Sequence, residues 1–516
     1  VTTEAHLTIP ELLEATVERS PAKEWLRYED SVFTFVEAHA RIGGVAAALA
    51  ERGVGRGTPV LATTRNSREY LFTWLAAMRL GAVFLPVNPE SSHVEIAGLI
   101  GQVRPALAVT DKGTIDTVRT AVDAGGGADA RVVLVDELNK DPADMPPIAA
   151  RADDVSVLIP TSGTTGRSKL VMQTQRAYAM AGEGFPFWLG LNENDRLMTS
   201  LPLFHINAPA YSVLGSIAAG AGLVLLPRFS GSGFLNSARV HGATEFNAIG
   251  AMIEILMRQP EREDDADNPL RLCYTGPAPQ KERHLEIERR FGLEVVSGYA
   301  LSETPYALVW KRGTRPYGTL GGLRQHPTLG VINQGRVMQD GHPVGTGEIG
   351  ELELKNPAVM LGYHQMQEET DEVLRDGWLR TGDLVRVNDD ETFTFIGRSK
   401  EVIRRRGENL SPLEVEAALE EHADVIEAAV VGVPSELSEE EVKAFIVLRE
   451  GSELDVQELG NFVGQKLAPF KVPRFIEVVP ELPHTATGRI AKHKLARERN
   501  DFEHDLEASL PVGKKR

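Results

Sequence analysis

The sequence predicts an α/β protein: a large N-terminal domain of doubly wound sheets with helices, followed by a small α+β C-terminal domain. Three observations carry this. Short apolar runs alternate with helix-length amphipathic stretches through the first half. The texture turns basic and glycine-punctuated near residue 398. A chain of 516 residues also exceeds what one hydrophobic core normally organises.

Pro59-Val60-Leu61-Ala62 is a short apolar run, after which Asn66 and Ser67 are cap candidates for a helix carrying Tyr70, Trp74, Ala77 and Leu80 on one face. Ala82 to Pro86, Ala106 to Thr110, Val132 to Val135 and Leu223 to Leu226 repeat the buried-strand pattern. Beyond the change of texture, Ser411, Pro412 and Glu414 spell an N-cap, an N1 proline and a capping-box partner. Val415, Ala418 and Leu419 give that helix its apolar stripe. Ile426 to Val433 and Val442 to Leu448 read as strands, and Glu453 to Leu467 as a helix. No internal repeat or low-complexity tract interrupts the chain.

Lys plus Arg is 55 against 73 Asp plus Glu, a formal net charge of −18. A field of that sign disfavours nonspecific nucleic-acid or anionic-membrane binding, yet a few placed donors can still bind phosphate locally. The single cysteine, Cys273, excludes an internal disulfide framework and reads as a buried packing residue. No apolar window approaches the roughly 20 residues of a membrane span, so no membrane insertion is expected. The first residues lack the basic n-region of a signal peptide. The expected location is the cytoplasm. Oligomeric state is left open, a homodimer included.

The strongest local signal is Thr161-Ser162-Gly163-Thr164-Thr165-Gly166-Arg167-Ser168-Lys169, directly after the strand-like run Val155 to Pro160. Glycines let backbone N–H groups approach a polyphosphate, hydroxyls add donors, and Lys169 adds charge. The same composition also makes an ordinary turn after a strand. A P-loop would need a glycine at Ser168 and a hydroxyl at Leu170, so a P-loop NTPase is disfavoured, and a kinase with it.

Together with several motifs further along the chain, this segment resembles the adenylate-forming superfamily of acyl-CoA synthetases, adenylation domains and luciferases. The likeness runs from about Thr8 to about Leu495 and is greatest to acyl-CoA synthetases of the carnitine/crotonobetaine-CoA-ligase-like type. It implies ATP, Mg²⁺ and CoA as cofactors, and a small domain that moves about a hinge. The division implied is 1–397 for the ATP- and acid-binding domain, 398–400 for the hinge, 401–500 for the small lid domain, and 501–516 for a tail.

The resemblance also assigns roles. Ser297-Gly298-Tyr299-Ala300-Leu301-Ser302-Glu303-Thr304 resembles the family's GYGxTE motif, with Ala300 for glycine and Ser302 for threonine. Tyr299 would flank the adenine, Ser302 would bond the α-phosphate, and Glu303, with Thr164, would hold Mg²⁺, which prefers oxygen ligands. Gly276, Pro277 and Ala278 resemble the turn covering the adenine. In Trp378 to Asp383, Asp383 would accept the ribose hydroxyls, with Arg398 as its partner. Lys400 falls at the hinge, and Gly407 at the point where a backbone loop meets the pantetheine thiol. Arg404, Arg405 and Arg406 would meet CoA phosphates or form a solvated basic loop. His205 would gate the thiol tunnel. Asn207, Asn247, Gly250 and Ala300 would line the acid pocket, the two asparagines hinting at a compact, polar acid. The one serious irregularity is Arg489, standing where the family places a lysine that contacts carboxylate and phosphate. Arginine keeps the charge with different geometry, and Lys492 stands near enough in sequence to assist.

Activation of a small carboxylic acid as its adenylate, then thioester formation with CoA, is therefore the expected activity. Loading a carrier-protein phosphopantetheine, an unusual oxyacid, an amine acceptor or a luciferase-like second step stay open, as does a nucleotide-binding regulator with weakened catalysis.

Overall fold

The computed structural model describes residues 6–126, 130–161, 168–276, 278–279, 281–339, 341–398, 403–410, 412–435, 439–452, 454–483, 490, 492–500 and 502–507. Two large sheets form the first part of the chain. One runs in the order Arg131–Leu134, Leu107–Thr110, Pro59–Thr63, Val83–Pro86, Val155–Thr161, Lys169–Thr174; its first five strands pair in parallel and the last is antiparallel. The other has nine strands, with Gly222–Leu225, Arg196–Thr199, Glu245–Ile249, Leu272–Gly276 and Glu294–Leu301 parallel at its centre. These are the buried apolar runs of the sequence, and parallel strands covered by helices need apolar residues on both faces.

The local signals act where they are placed. Ser67 caps the helix Arg68–Arg79, its side chain accepting from Tyr70 N. Asn66, the other cap candidate, ties down a distant loop instead. Its Oδ1 accepts from Leu203 N at 2.9 Å and its Nδ2 donates to Leu201 O at 2.9 Å, which fixes the approach to His205.

A third, antiparallel sheet comes next: Gln334–Gln339, Ile349–Lys355, Trp378–Val387 and Phe393–Arg398 are its main strands. Its strands mix polar and apolar residues because one face packs on Ala307, Leu308 and Leu320 while the other is wet, and such strands give no continuous apolar run to read.

The small domain has its own core around Ile403, Val415, Leu419, Val430, Ile446 and Leu459. The helix Pro412–Glu420 packs on the sheet Val425–Pro434, Glu440–Leu448, Phe475–Val478, Glu503–Asp505. The predicted helix over 453–467 is shorter, Val456–Gly464, because Asp455 caps it from outside. The tail assignment of 501–516 needs correction. Glu503–Asp505 pairs with Phe475–Glu477 as an edge strand, and the Glu503 carboxylate lies 2.9 Å from the buried Lys443 ammonium in an ion pair. Residues as far as Glu507 are thus built into the small domain by ion pairs.

Among the described residues no helix is long and apolar enough to cross a membrane. Cys273 is buried, and burial with the neighbouring Glu245 raises its thiol well above the usual range.

Glu245 sits fully buried at the start of a central strand, with neither carboxylate oxygen hydrogen-bonded among the described residues. Burial and the charge of Asp195 raise its carboxyl well above 4.5, with Arg271 opposing. A raised value means stability present below the ordinary carboxylate range and lost as pH rises through the folded value. Glu245→Met should therefore raise stability by about 1–3 kcal/mol at pH 7.5 and by less at pH 5. Thermal midpoints at the two pH values check this.

Candidate active site

The strands Val155–Thr161 and Lys169–Thr174 form a hairpin in which Thr161 pairs with Lys169 and donates to its carbonyl at 3.3 Å. The segment between them is the predicted phosphate loop; Ser162, Gly163, Thr164, Thr165 and Gly166 lie outside the described residues. Lys169 stands at the foot of that loop with its Nζ 4.6 Å from the Tyr363 ring centre. Tyr363 is brought there by antiparallel pairing with Val171, its flanking residues hydrogen-bonded to Leu170 and Met172. Its hydroxyl donates to Glu303 Oε1 at 2.9 Å. Burial and then the Glu303 charge raise the Tyr363 phenol, so it stays a donor.

Glu303 and Ser302 occupy the tight turn between Glu294–Leu301 and Thr304–Val309. That turn is pinned from two sides: Gln173 Nε2 donates to Ser302 O at 2.7 Å, and Met360 N donates to Glu303 O at 2.8 Å. Cation, phenol and carboxylate thus converge beside the loop. Sequence reasoning missed Tyr363 and Gln173, since no local pattern marks them; only pairing across the sheet edge does.

Tyr299, three residues after Val296 on the same strand, donates its hydroxyl to Asp383 Oδ2 at 2.6 Å. Asp383 is buried, and Thr381 Oγ1 accepts from its backbone N–H at 3.1 Å. Arg398 faces Asp383 in strand register. Gly276 ends its strand so close to Gly298 that an added Cβ would overlap the Gly298 carbonyl. Ala278 packs at the edge of the main core; Pro277 lies outside the described residues.

On the acid side, Asn247 Nδ2 donates to Asn207 Oδ1 at 2.7 Å, so the two predicted pocket asparagines pair with each other. Asn207 begins a π-helical turn, Ala208–Val213, which roofs the sheet. Gly250 opens the helix after Ile249, and Ala300 packs against the main core.

The small domain meets this face. Gly407 has φ +83°, and a Cβ there would stand 2.7 Å from Ile249 Cδ1. His205 Nε2 lies 2.5 Å from Glu408 Oε1, a partner that no sequence motif marks. Lys471 joins the two lobes elsewhere, 2.8 Å from Glu95 and 2.7 Å from Glu414. Burial lowers the His205 value, but the charge and hydrogen bond of Glu408 outweigh it, and the net direction is upward. The docked arrangement should then be favoured fully below about 6.5, the ordinary histidine value, and weaken as pH rises through the raised one. Energy transfer between dyes on the two lobes should fall across that window, and Glu408→Gln should flatten the curve.

Two expectations are corrected. Arg405 is neither solvated nor open to phosphate: it is 1% exposed, donates to the carbonyls of Phe470 and Val472, and pairs with Glu441 and Glu507. Arg404 and Arg406 pair with Glu439 and Glu507. Lys492, the suggested helper of Arg489, is 2.5 Å from Glu416 in the Pro412–Glu420 helix. Arg489 and Lys400 lie outside the described residues. No cluster of three or more histidine, cysteine or carboxylate side chains able to hold a metal ion occurs among the described residues, so any cation there would need substrate oxygens to complete its shell.

Two wound sheets with a separate C-terminal lobe, and Lys169 and Glu303 brought together through Tyr363, are the arrangement of a two-lobed nucleotide-binding enzyme class. The chain belongs to the AMP-binding enzyme family, whose model matches residues 13–364, with the AMP-binding enzyme C-terminal domain over 414–489. It is 30% identical over 505 residues to a sulfoacetate–CoA ligase of Cupriavidus necator, covering 95% of this chain and 97% of that one. It is 29% identical to a crotonobetaine/carnitine–CoA ligase of Salmonella typhimurium, covering 90% and 93%. A double mutant of the o-succinylbenzoate CoA synthetase from Bacillus subtilis, bound with its product analogue, superposes with a TM-score of 0.84 at 27% identity, covering 95% and 98%. The same enzyme in complex with AMP gives 0.68 at equal identity and coverage.

Proposed function

We propose that this chain is an ATP-dependent acid–CoA ligase. It activates a small carboxylic acid as an acyl adenylate with release of pyrophosphate, then transfers the acyl group to the CoA thiol. The observation that carries the reading is the convergence of Lys169, Tyr363 and Glu303 at the start of the Lys169–Thr174 strand, with the Tyr299–Asp383 pair on the neighbouring sheet.

In the first step a carboxylate oxygen attacks the α-phosphorus and the bond to pyrophosphate breaks. Lys169 stabilises the negative charge that develops on phosphate oxygens. Ser302 donates to the α-phosphate, Asp383 accepts from the ribose hydroxyls, and Tyr299 holds both Asp383 and the adenine edge. The Glu303 carboxylate is a hard oxygen donor suited to Mg²⁺, which with Thr164 would neutralise phosphate charge there. Arg489 reaches the acid and phosphate from the small lobe when that lobe rotates about 398–400, with Lys400 as the pivot; domain closure of this sort exchanges one catalytic surface for another.

In the second step the thiol sulfur attacks the acyl carbonyl, and the carbonyl–phosphate bond breaks to release AMP. Gly407 leaves room for the thiol arm beside Ile249, and the His205–Glu408 pair flanks that passage. The better superposition on a product-analogue complex than on an AMP complex supports a lobe placement suited to this second step. The relatives named as CoA ligases support CoA over a carrier protein, and the cytoplasm is the proposed location.

The test is pyrophosphate release across a panel of acids, with CoA, with a carrier protein, and with neither. Adenylation that turns over only with CoA is expected. Turnover only with the carrier protein would replace the acceptor, and no release with any acid would sink the ligase reading in favour of a regulator.

A further inference from the structure

The turn that carries Gly407 to the large lobe has little of its own to hold it. Ile403–Arg405 and Glu408–Leu410 form a sheet of two strands, three residue pairs long, and an isolated ladder of that size is marginal in water. Two residues join the strands, Arg406 at φ +53° and Gly407 at φ +83°, the pair of positive values that makes a type I′ turn. Ile403 and Leu410 anchor the far end of the hairpin in the small-lobe core. The tip is the end that meets the large lobe: Gly407 faces Ile249, and Glu408 reaches His205.

The register pairs Arg405 with Glu408, so the N–H groups of the two turn residues stand outside the ladder and need an acceptor elsewhere. Glu439 supplies one. Its Oε2 accepts from Gly407 N at 2.7 Å, and its side chain is 4% exposed. The other carboxylate oxygen lies 3.4 Å from Arg404 Nε, and the Glu439 carbonyl accepts from Ser435 N at 2.9 Å, which fixes the residue's own backbone. Glu440 and Glu441 grip the hairpin further back, Glu440 accepting from Arg404 N at 3.0 Å and Glu441 pairing with the buried Arg405. Of these three consecutive carboxylates, Glu439 is the one that reaches the backbone of the turn.

A bond from a backbone N–H to a carboxylate is charge-assisted and directional. Swinging the Arg406–Gly407 peptide away from Glu439 would carry the Gly407 Cα and the Glu408 side chain with it, because both follow directly in the chain. We propose that Glu439 is a positioning residue for the second half-reaction: by holding the Gly407 N–H it aims the tip so that Gly407 meets Ile249 and Glu408 meets His205. The inference rests on the two-step ligase reading above and adds a residue that acts through Gly407 rather than on a substrate. The first step does not use the docked tip, so it does not depend on Glu439.

The experiment compares the unaltered chain with Glu439→Gln, Glu439→Asp and Glu439→Leu. Single-turnover rates are measured for adenylate formation and for transfer to CoA, using the acid that releases pyrophosphate fastest in the panel and its purified adenylate. Glu439→Gln keeps an acceptor oxygen at the same reach and should stay within about threefold in both steps. Glu439→Asp draws the charge back by one methylene, and Glu439→Leu removes the acceptor. Both should slow transfer by about 10–100-fold, the worth of one hydrogen bond to a charged acceptor, with adenylation within about twofold. The loss should fall on kcat for transfer, with KM for CoA moved by less than about threefold. Hydrogen exchange in the 403–410 segment, read by mass spectrometry, should rise in Glu439→Asp and Glu439→Leu but not in Glu439→Gln. Glu439→Asp decides the matter if Glu439→Leu does not fold. Equal loss in both half-reactions, or a Glu439→Gln enzyme as slow in transfer as Glu439→Asp, overturns the inference and leaves the ligase reading in place. An unaltered chain that forms no adenylate with any acid sinks the ligase reading instead, and unchanged exchange in Glu439→Asp and Glu439→Leu then overturns the hold on the turn separately.

Discussion

Gly407→Val should depress thioester formation by roughly two orders of magnitude while acyl-adenylate formation stays within about twofold. Two costs add. At φ +83° a β-branched residue is strained, typically by about 1–3 kcal/mol. Its Cβ would also stand 2.7 Å from Ile249 Cδ1, forcing the lobes apart or Ile249 out of its rotamer, with a penalty of about 1–3 kcal/mol. The strain is carried in both arrangements and lowers the stability of the small lobe, whereas the clash falls on the docked arrangement alone and disappears when the lobes separate. Single-turnover rates of the two half-reactions, with the adenylate supplied for the second, separate the effects. An equal fall in both would show that the glycine serves folding rather than docking. Gly407→Ala should lie between, because Ile249 Cδ1 is the far end of a flexible chain.

Glu303→Gln should lower pyrophosphate release by about 10²–10³-fold, the loss expected when one preorganised charge is removed from a phosphoryl-transfer site. Raising Mg²⁺ should recover part of the rate, because the substitution weakens oxygen ligation without emptying the space. Tyr363→Phe should cost less, about tenfold, since it removes a hydrogen bond to Glu303 of roughly 1.5 kcal/mol and leaves the carboxylate. Transfer to CoA from supplied adenylate should be spared in both variants. A Glu303→Gln enzyme with unchanged Mg²⁺ dependence would remove Glu303 from the site.

These predictions differ in how much of their basis the sequence contained. The Glu303 experiment was readable in advance only through the resemblance of its motif, since a lone loop carboxylate ordinarily reads as a solvated charge. Its anchor was not. Tyr363 reaches Glu303 because backbone hydrogen bonds between Leu361, Gly362 and His364 and the edge residues Leu170 and Met172 bring the chain back to the sheet. Likewise Gly407 could be picked out as a position needing space, whereas the residue it makes room for, Ile249, lies 158 positions earlier in number and belongs to the other lobe. The three consecutive arginines before it illustrate the opposite hazard. As a basic run they suggest a phosphate contact, yet Glu439, Glu441 and Glu507 consume them. Charge sign is a property of the sequence; charge availability is a property of the fold.

By itself the sequence determined the wound sheets, the capped helices and the separate small C-terminal lobe. Each depends on interactions over a few residues: apolar periodicity and a cap hydroxyl. Only the tertiary structure decided that Glu503–Asp505 is an edge strand, that His205 meets Glu408, and that Tyr363 meets Glu303. Such pairings are made between residues far apart in number, where the free energy is gained by burial and contact, and no local pattern records which distant partner will be there.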